Sequence, residues 1–122
     1  MKNHKVVLWV DDIRYPPNTD LIWVKSVNQV KTLIEILENT DSEMFISLDH
    51  DAGDYGPPDY IKVLDWLEET GRNYPIHIHS QNVVGRMNME AICKKNGWTI
   101  NTIIIHNNYL MEKITNGALH LF

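Results

Sequence analysis

The sequence is short of the features that usually settle a protein's class quickly. It has one cysteine, Cys93, in 122 residues, which excludes an intrachain disulfide and leaves a thiolate zinc site without ligands. It has no long hydrophobic run near its start: Val6–Val10 (VVLWV) is too short for a signal-peptide core or a membrane span. A cytoplasmic chain with no membrane partner is therefore the expectation. It has no excess of positive charge, since 16 acids against 11 bases give a net charge of -5. That balance excludes an extended nucleic-acid surface and confines any nucleotide chemistry to a local pocket, where a metal can offset the protein's own carboxylates. It has no repeat, low-complexity tract or linker, so residues 1–122 read as a single domain with room for one core. Nothing in the sequence speaks to oligomeric state.

What remains is ordinary globular composition, 43% hydrophobic and 22% charged, with apolar residues in two alternating periods. Val6–Val10 is rich in β-branched residues and reads as a buried strand ending at Asp11-Asp12. Arg14–Asp20, with Pro16, Pro17 and Asn18, is a loop, and Leu21–Lys25 a second strand. Ser26-x-x-Gln29 is a capping box opening a helix in which Val27, Val30, Leu33, Ile34 and Leu37 share a face. Met44–Leu48 is a third strand, with Asp49-His50-Asp51 at its carboxyl end and a Gly- and Pro-containing loop, Ala52–Pro58, after it. Asp59 is the expected cap of a second helix that places Tyr60, Val63, Leu64 and Leu67 inward and stops at Gly71. Pro75–His79 is a fourth strand, Ser80-Gln81-Asn82 opens a third helix closed by Gly97, and Thr99–Ile105 is a fifth strand. Tyr109–Ile114 reads as a short helix and Gly117–Phe122 as an added edge strand.

Strands alternating with helices of about a dozen residues indicate a parallel-rich α/β sheet. Ligands in such sheets bind beyond the carboxyl ends of the strands, where Asp11-Asp12, Asp49-His50-Asp51 and His79-Ser80 all fall. An acidic pair after a strand is most often a turn or a cap. Two acidic clusters at two strand ends point further, because neighbouring carboxylates repel and a divalent cation relieves that repulsion. Hard oxygen ligands suit Mg2+ or Mn2+. Side chains alternate across a strand, so Asp11 and Asp49 are the first-choice ligands and Asp12 and Asp51 the second. Removing one of these mutually repelling carboxylates is expected to stabilise the metal-free fold.

His77 and His79 alternate with Ile76 and Ile78 and share one strand face. His77, deeper in the strand, reads as structural; His79, at the rim, and His50, between two acids, are the candidates for proton transfer near neutral pH. Ser80 through Arg86 opens a helix, where free N–H groups favour an anion. Ser80, Asn82 and Arg86 are candidate phosphate partners, and Arg14 is another. The tryptophans Trp9, Trp23, Trp66 and Trp98 and the methionines read as packing residues. His4, His106 and His120 read as surface or packing residues, and Tyr55 as a candidate wall of the pocket.

The acidic pair, the later Asp49 and Ser80 resemble the response-regulator receiver pattern one by one. Receivers also carry a lysine after the fifth strand, whereas Ile103-Ile104-Ile105 is followed here by His106, and their first helix is replaced by the proline loop Arg14–Asp20. "LWVDDIRYPP", "ISLDHDAG" and "HIHSQNVVGRMNM" together resemble the cyclic-phosphate-processing receiver-like family over roughly Val6–Lys95. This resemblance implies a three-layer, flavodoxin-like sheet, mostly parallel, with helices on both faces. It also implies a metal-assisted phosphoesterase that opens a small cyclic phosphate or nucleotide, either a 2′,3′-cyclic end or a cyclic nucleotide. Asp49 and Ser80 then join His50 and His79 as catalytic residues. Two other readings stay open: a diverged signalling receiver phosphorylated on Asp49, and a binder that sequesters a cyclic nucleotide.

Overall fold

The computed structural model describes residues 4–17, 20–49, 59–80, 82–100, 103–106, 109–113 and 119–121. The elements run β1 (His4–Val10), β2 (Ile22–Val24), α1 (Val27–Leu37), β3 (Ser42–Leu48), α2 (Ile61–Glu69), β4 (Ile76–Ile78), α3 (Val83–Lys95), β5 (Ile103–His106), β6 (Tyr109–Lys113) and β7 (Leu119–Leu121). The first four strands form one parallel sheet in the order β2-β1-β3-β4. That is the flavodoxin-like order, whose direction of winding reverses between β1 and β3. The receiver-like α/β class is thus present as four parallel strands with three helices. Among the described residues no helix is long and apolar enough to cross a membrane.

Register fixes which residues share a face. Leu8, Ile46 and Ile76 lie in one row, and Trp9, Ser47 and His77 in the next, so successive rows present opposite faces. The even-numbered side chains Leu8, Val10, Ile46 and Ile76 join one core cluster with buried residues of all three helices, among them Ile34, Leu64 and Met89. The opposite face holds a smaller cluster, Val7, Trp9, Leu21 and Phe45, with Trp23 packed against it. Among the described residues the helices therefore gather on one face, where the resemblance implied helices on both. The reason lies in the β1–β2 connection: Pro16 and Pro17 hold it as a loop, and a helix at that position would have lain on the other side of the sheet.

Local chemistry explains the helix ends. The Ser26 hydroxyl accepts from the Gln29 N–H at 3.1 Å, and the Gln29 side chain accepts from the Ser26 N–H, a reciprocal cap worth about 1 kcal/mol. At α2 the expected Asp59 cap gives way to Tyr60, which occupies the cap position with no side-chain cap bond. Tyr60 is fully buried and its hydroxyl donates to the Lys25 carbonyl, so an anchored ring sets this helix start. Asn82 caps α3, its side-chain oxygen accepting from Gly85 N–H at 2.9 Å. Gly71 and Gly97, at φ +69° and +68°, turn the chain out of α2 and α3.

The segment after α3 departs from the sequence reading. Among the described residues a single parallel bridge, Ile76 to Ile100, marks where a fifth parallel strand would begin. The Ile103–His106 strand instead joins a separate antiparallel sheet, β5-β6-β7. Two residues connect β5 to β6, too few for a parallel crossover. Tyr109–Lys113, expected as a helix, is the central strand of that sheet. Short apolar segments carry no decisive period, and strand partners on both sides override a weak helical preference.

Candidate functional site

The ends of β1, β3 and β4 build the site. The parallel ladder continues one residue past each strand: Asp11 N–H donates to the Val24 carbonyl, Asp49 N–H to that of Val10, and His79 N–H to that of Leu48, at 2.9–3.0 Å. Asp11, Asp49 and His79 are thereby fixed by backbone at one rim, and Asp11 and Asp49 flank the β1/β3 reversal point, where ligands of such sheets bind. One carboxylate oxygen from each of Asp11, Asp12 and Asp49 lies within 4.8 Å of the others.

Asp11 is held through both of its carboxylate oxygens. Its Oδ1 accepts from the Ile13 and Arg14 N–H groups at 3.0 and 2.8 Å, which folds the start of the proline loop over it. Its Oδ2 lies 3.0 Å from His79 Nε2. Both side chains are buried, 2% exposed for Asp11 and 7% for His79. Three donors leave a carboxylate with lone-pair capacity to spare. The donor set, three hard oxygens on two strands, fits a divalent cation such as Mg2+ or Mn2+.

His79 is held on all sides. Its ring stacks on Trp9 with centroids 3.8 Å apart and planes 5° from parallel. Its Nδ1 lies 2.8 Å from the hydroxyl of Ser47, which also lies 2.8 Å from His77 Nδ1. Burial pushes the His79 imidazole down to about 4, against the opposing pull of Asp11. Burial also lowers His77. Near neutral pH His79 is an uncharged ring with both nitrogens engaged.

The phosphate candidates are distributed around this centre. Arg14 Nη1 donates to the His79 carbonyl at 3.1 Å, tying the proline loop to the end of β4. Ser80 is buried, and its hydroxyl oxygen accepts from Asn82 N–H at 3.1 Å. Asn82 spends its side-chain oxygen on the helix cap. Arg86, one turn into α3, lies 4.0 Å from Glu90 and is about half exposed. His50, Asp51 and Tyr55 lie outside the described residues.

Two members of the site escape the sequence reading, Trp9 and Ser47. Trp9 passes for packing, yet its ring backs His79 and its indole N–H donates to the Arg14 carbonyl at 2.9 Å. Ser47 is a lone hydroxyl in an apolar strand. The available signal was period: Ser47 and Asp49 share a strand face, as do His77 and His79. Residues 6–95, from within β1 to the last residue of α3, match the family model described as the cyclic-phosphate processing receiver domain. No curated protein and no solved structure matches the chain.

Proposed function

The chain belongs to the cyclic-phosphate processing receiver family, and we propose that it is a metal-assisted phosphoesterase that opens a cyclic phosphate, either a 2′,3′-cyclic end or a cyclic nucleotide. The observation that carries this reading is the convergence of Asp11, Asp12 and Asp49 within 4.8 Å at the strand ends. These three, with Asp51, would hold Mg2+ or Mn2+, which when bound polarises a phosphate oxygen and lowers the pKa of a bound water. Asp11 and Asp49 keep their orientation through the backbone bonds of the strand ends. Ser80, the α3 start at Asn82, Arg86 and Arg14 bind the remaining phosphate oxygens. His50 is the proton-transfer group: it takes a proton from the attacking water and returns one to the departing alkoxide. His79, whose ring nitrogens are both engaged, serves by holding Asp11.

That same engagement of His79 favours a second reading, a binder that sequesters a cyclic nucleotide, because the ring has no nitrogen left for the substrate. A panel of cyclic phosphates incubated with and without Mn2+, with products resolved by chromatography and binding measured in parallel, separates the two. Metal-dependent ring opening is the expected result. Tight binding without any turnover establishes the sequestering reading. A stable phospho-Asp49 after treatment with acetyl phosphate and Mg2+ points instead to a signalling receiver.

A further inference from the structure

Tyr15 is an exposed aromatic on a fastened loop. Its side chain is 75% exposed, and that of Ile13, two residues earlier, 78%. A lone exposed apolar residue calls for no explanation. These two follow directly on Asp11-Asp12, and the backbone that carries them is tied down on both sides. Asp11 Oδ1 accepts from the Ile13 and Arg14 N–H groups, the Arg14 carbonyl accepts from the Trp9 indole, and the Arg14 guanidinium donates to the His79 carbonyl. Pro16 restricts Tyr15 to extended backbone, and Pro17 stiffens the chain beyond it.

The ring is buttressed as well. Its centroid lies 4.7 Å from that of Trp23, with the planes tilted by 54°. Trp23 is held by its indole N–H, which donates to the Asp11 carbonyl at 2.7 Å, and by the Lys25 ammonium 4.3 Å over its ring. Asp11 therefore serves the acidic cluster with its carboxylate and the aromatic pair with its carbonyl. Tyr15 stands on the β1–β2 side of the rim, and Ser80, Asn82 and Arg86 stand on the β4–α3 side.

We infer that Tyr15 is the platform on which the base of the substrate stacks, so that the site takes nucleoside cyclic phosphates in preference to cyclic phosphates of small polyols. The phosphate lies between the acidic cluster and the α3 start, and the organic part of the ester extends the other way, over the Ile13–Tyr15 loop. Every base has a face to stack, so Tyr15 selects for the presence of a base and not for its identity. A ring already fastened loses little freedom on binding, which preserves the gain from stacking. This role rests on the proposed cyclic-phosphate site.

The test compares ligands that differ only in the base. One set is adenosine 2′,3′- and 3′,5′-cyclic phosphorothioates, cleaved slowly enough to titrate; the other has the same rings with a methoxy group in place of adenine. Affinity is measured by calorimetry with Mn2+ present, and turnover of the parent phosphates by chromatography. The wild type is expected to prefer the adenosine ligand of the ring it binds by about tenfold, within the range that base–aromatic stacking supplies. Tyr15→Ala and Tyr15→Leu are expected to erase that preference, the second while still covering Trp23. Tyr15→Phe is expected to keep it. A wild type that binds both ligands alike overturns the role of Tyr15, as do Ala and Leu variants that keep the preference or weaken both ligands alike. Turnover of the parent phosphates by the wild type then leaves the phosphoesterase reading standing. A preference kept in Tyr15→Ala and lost in Met87→Ala, at an exposed residue one turn into α3, also overturns it and puts the base against that helix. A wild type that binds none of the ligands and opens no parent phosphate overturns the cyclic-phosphate site, and the role of Tyr15 with it.

Discussion

Trp9 and His79, one on β1 and the other just past β4, stack nearly parallel at 3.8 Å across the intervening strand β3. The pair joins the two outer strands of the site and seals the imidazole against water. Trp9→Phe keeps a ring but loses the indole N–H bond to Arg14 and part of the stacking area. A cost of about 1–2 kcal/mol is expected, read as a lower urea midpoint with an unchanged slope. An unshifted midpoint would show that the stack contributes nothing to stability.

Asp11 reverses an expectation drawn from charge repulsion alone. Its carboxylate accepts three N–H groups, so Asp11→Asn does more than relieve repulsion: an amide N–H2 comes to face His79 Nε2–H, or the loop N–H groups lose their acceptor. Asp11→Asn is expected to destabilise the metal-free protein by about 2 kcal/mol, in line with losing a hydrogen bond to a charged group. Asp11→Asn and Asp49→Asn are both expected to weaken Mn2+ binding. Denaturation midpoints beside Mn2+ titrations check these outcomes; equal stability of Asp11→Asn and the wild type would contradict the first.

The buried histidines make stability depend on pH in a definite direction. The unfolded chain takes up a proton on His79 near 6.5, whereas the folded chain does so only near about 4. Between those values the unfolded state binds more protons, so stability falls as pH falls. For His79 the loss starts below about pH 6.5, is complete below about pH 4 and amounts to about 3 kcal/mol. His77, lowered by its own burial, adds to it in the same direction. Glu38, lowered by its bond to Arg72, acts only in the carboxylate range below. Urea midpoints measured from pH 7 to pH 4.5 are expected to decline, and His79→Gln is expected to flatten the decline.

Cys93 is buried in the helical core, and that burial pushes its thiol up to about 11. A neutral, enclosed thiol is a poor nucleophile. In the native state at pH 8 the protein is expected to resist thiol reagents, with one equivalent reacting on addition of denaturant. Prompt labelling of the native protein would mean that α3 opens readily from the sheet.

Gly97 closes α3 at φ +68° with nothing within 4 Å of where a Cβ would sit. Gly97→Ala therefore tests backbone conformation alone and is expected to cost about 1 kcal/mol, measured by thermal unfolding. A larger loss would require a steric contact that the surroundings do not contain.

The sequence was most legible where local and periodic signals agree. The capping box at Ser26 and the spacing of Val27, Val30 and Ile34 give α1 without reference to anything distant, and Gly71 and Gly97 stop their helices through backbone conformation. The strand-end positions of Asp11, Asp49 and His79 follow from strand length. Less legible is whatever depends on a partner far along the chain. Tyr60 displaces Asp59 at the start of α2 because its hydroxyl finds the Lys25 carbonyl 35 residues away. The Ser47 contacts with His77 and His79 span 30 and 32 residues. Tyr109–Lys113 takes its strand form from β5 and β7, which no window on its own five residues can reveal.

The one-sided layering has a consequence for how this domain tolerates change. Ile34, Leu64 and Met89 belong to the helical core on one side of the sheet, while Trp9, Ser47, His77 and His79 interact on the other. Groups with no shared partners combine their effects almost independently, so a lesion such as Ile34→Val and a lesion such as Trp9→Phe should sum. The strands act as a partition: the helical side can drift in sequence, or be redesigned for robustness, while the acidic rim keeps its geometry.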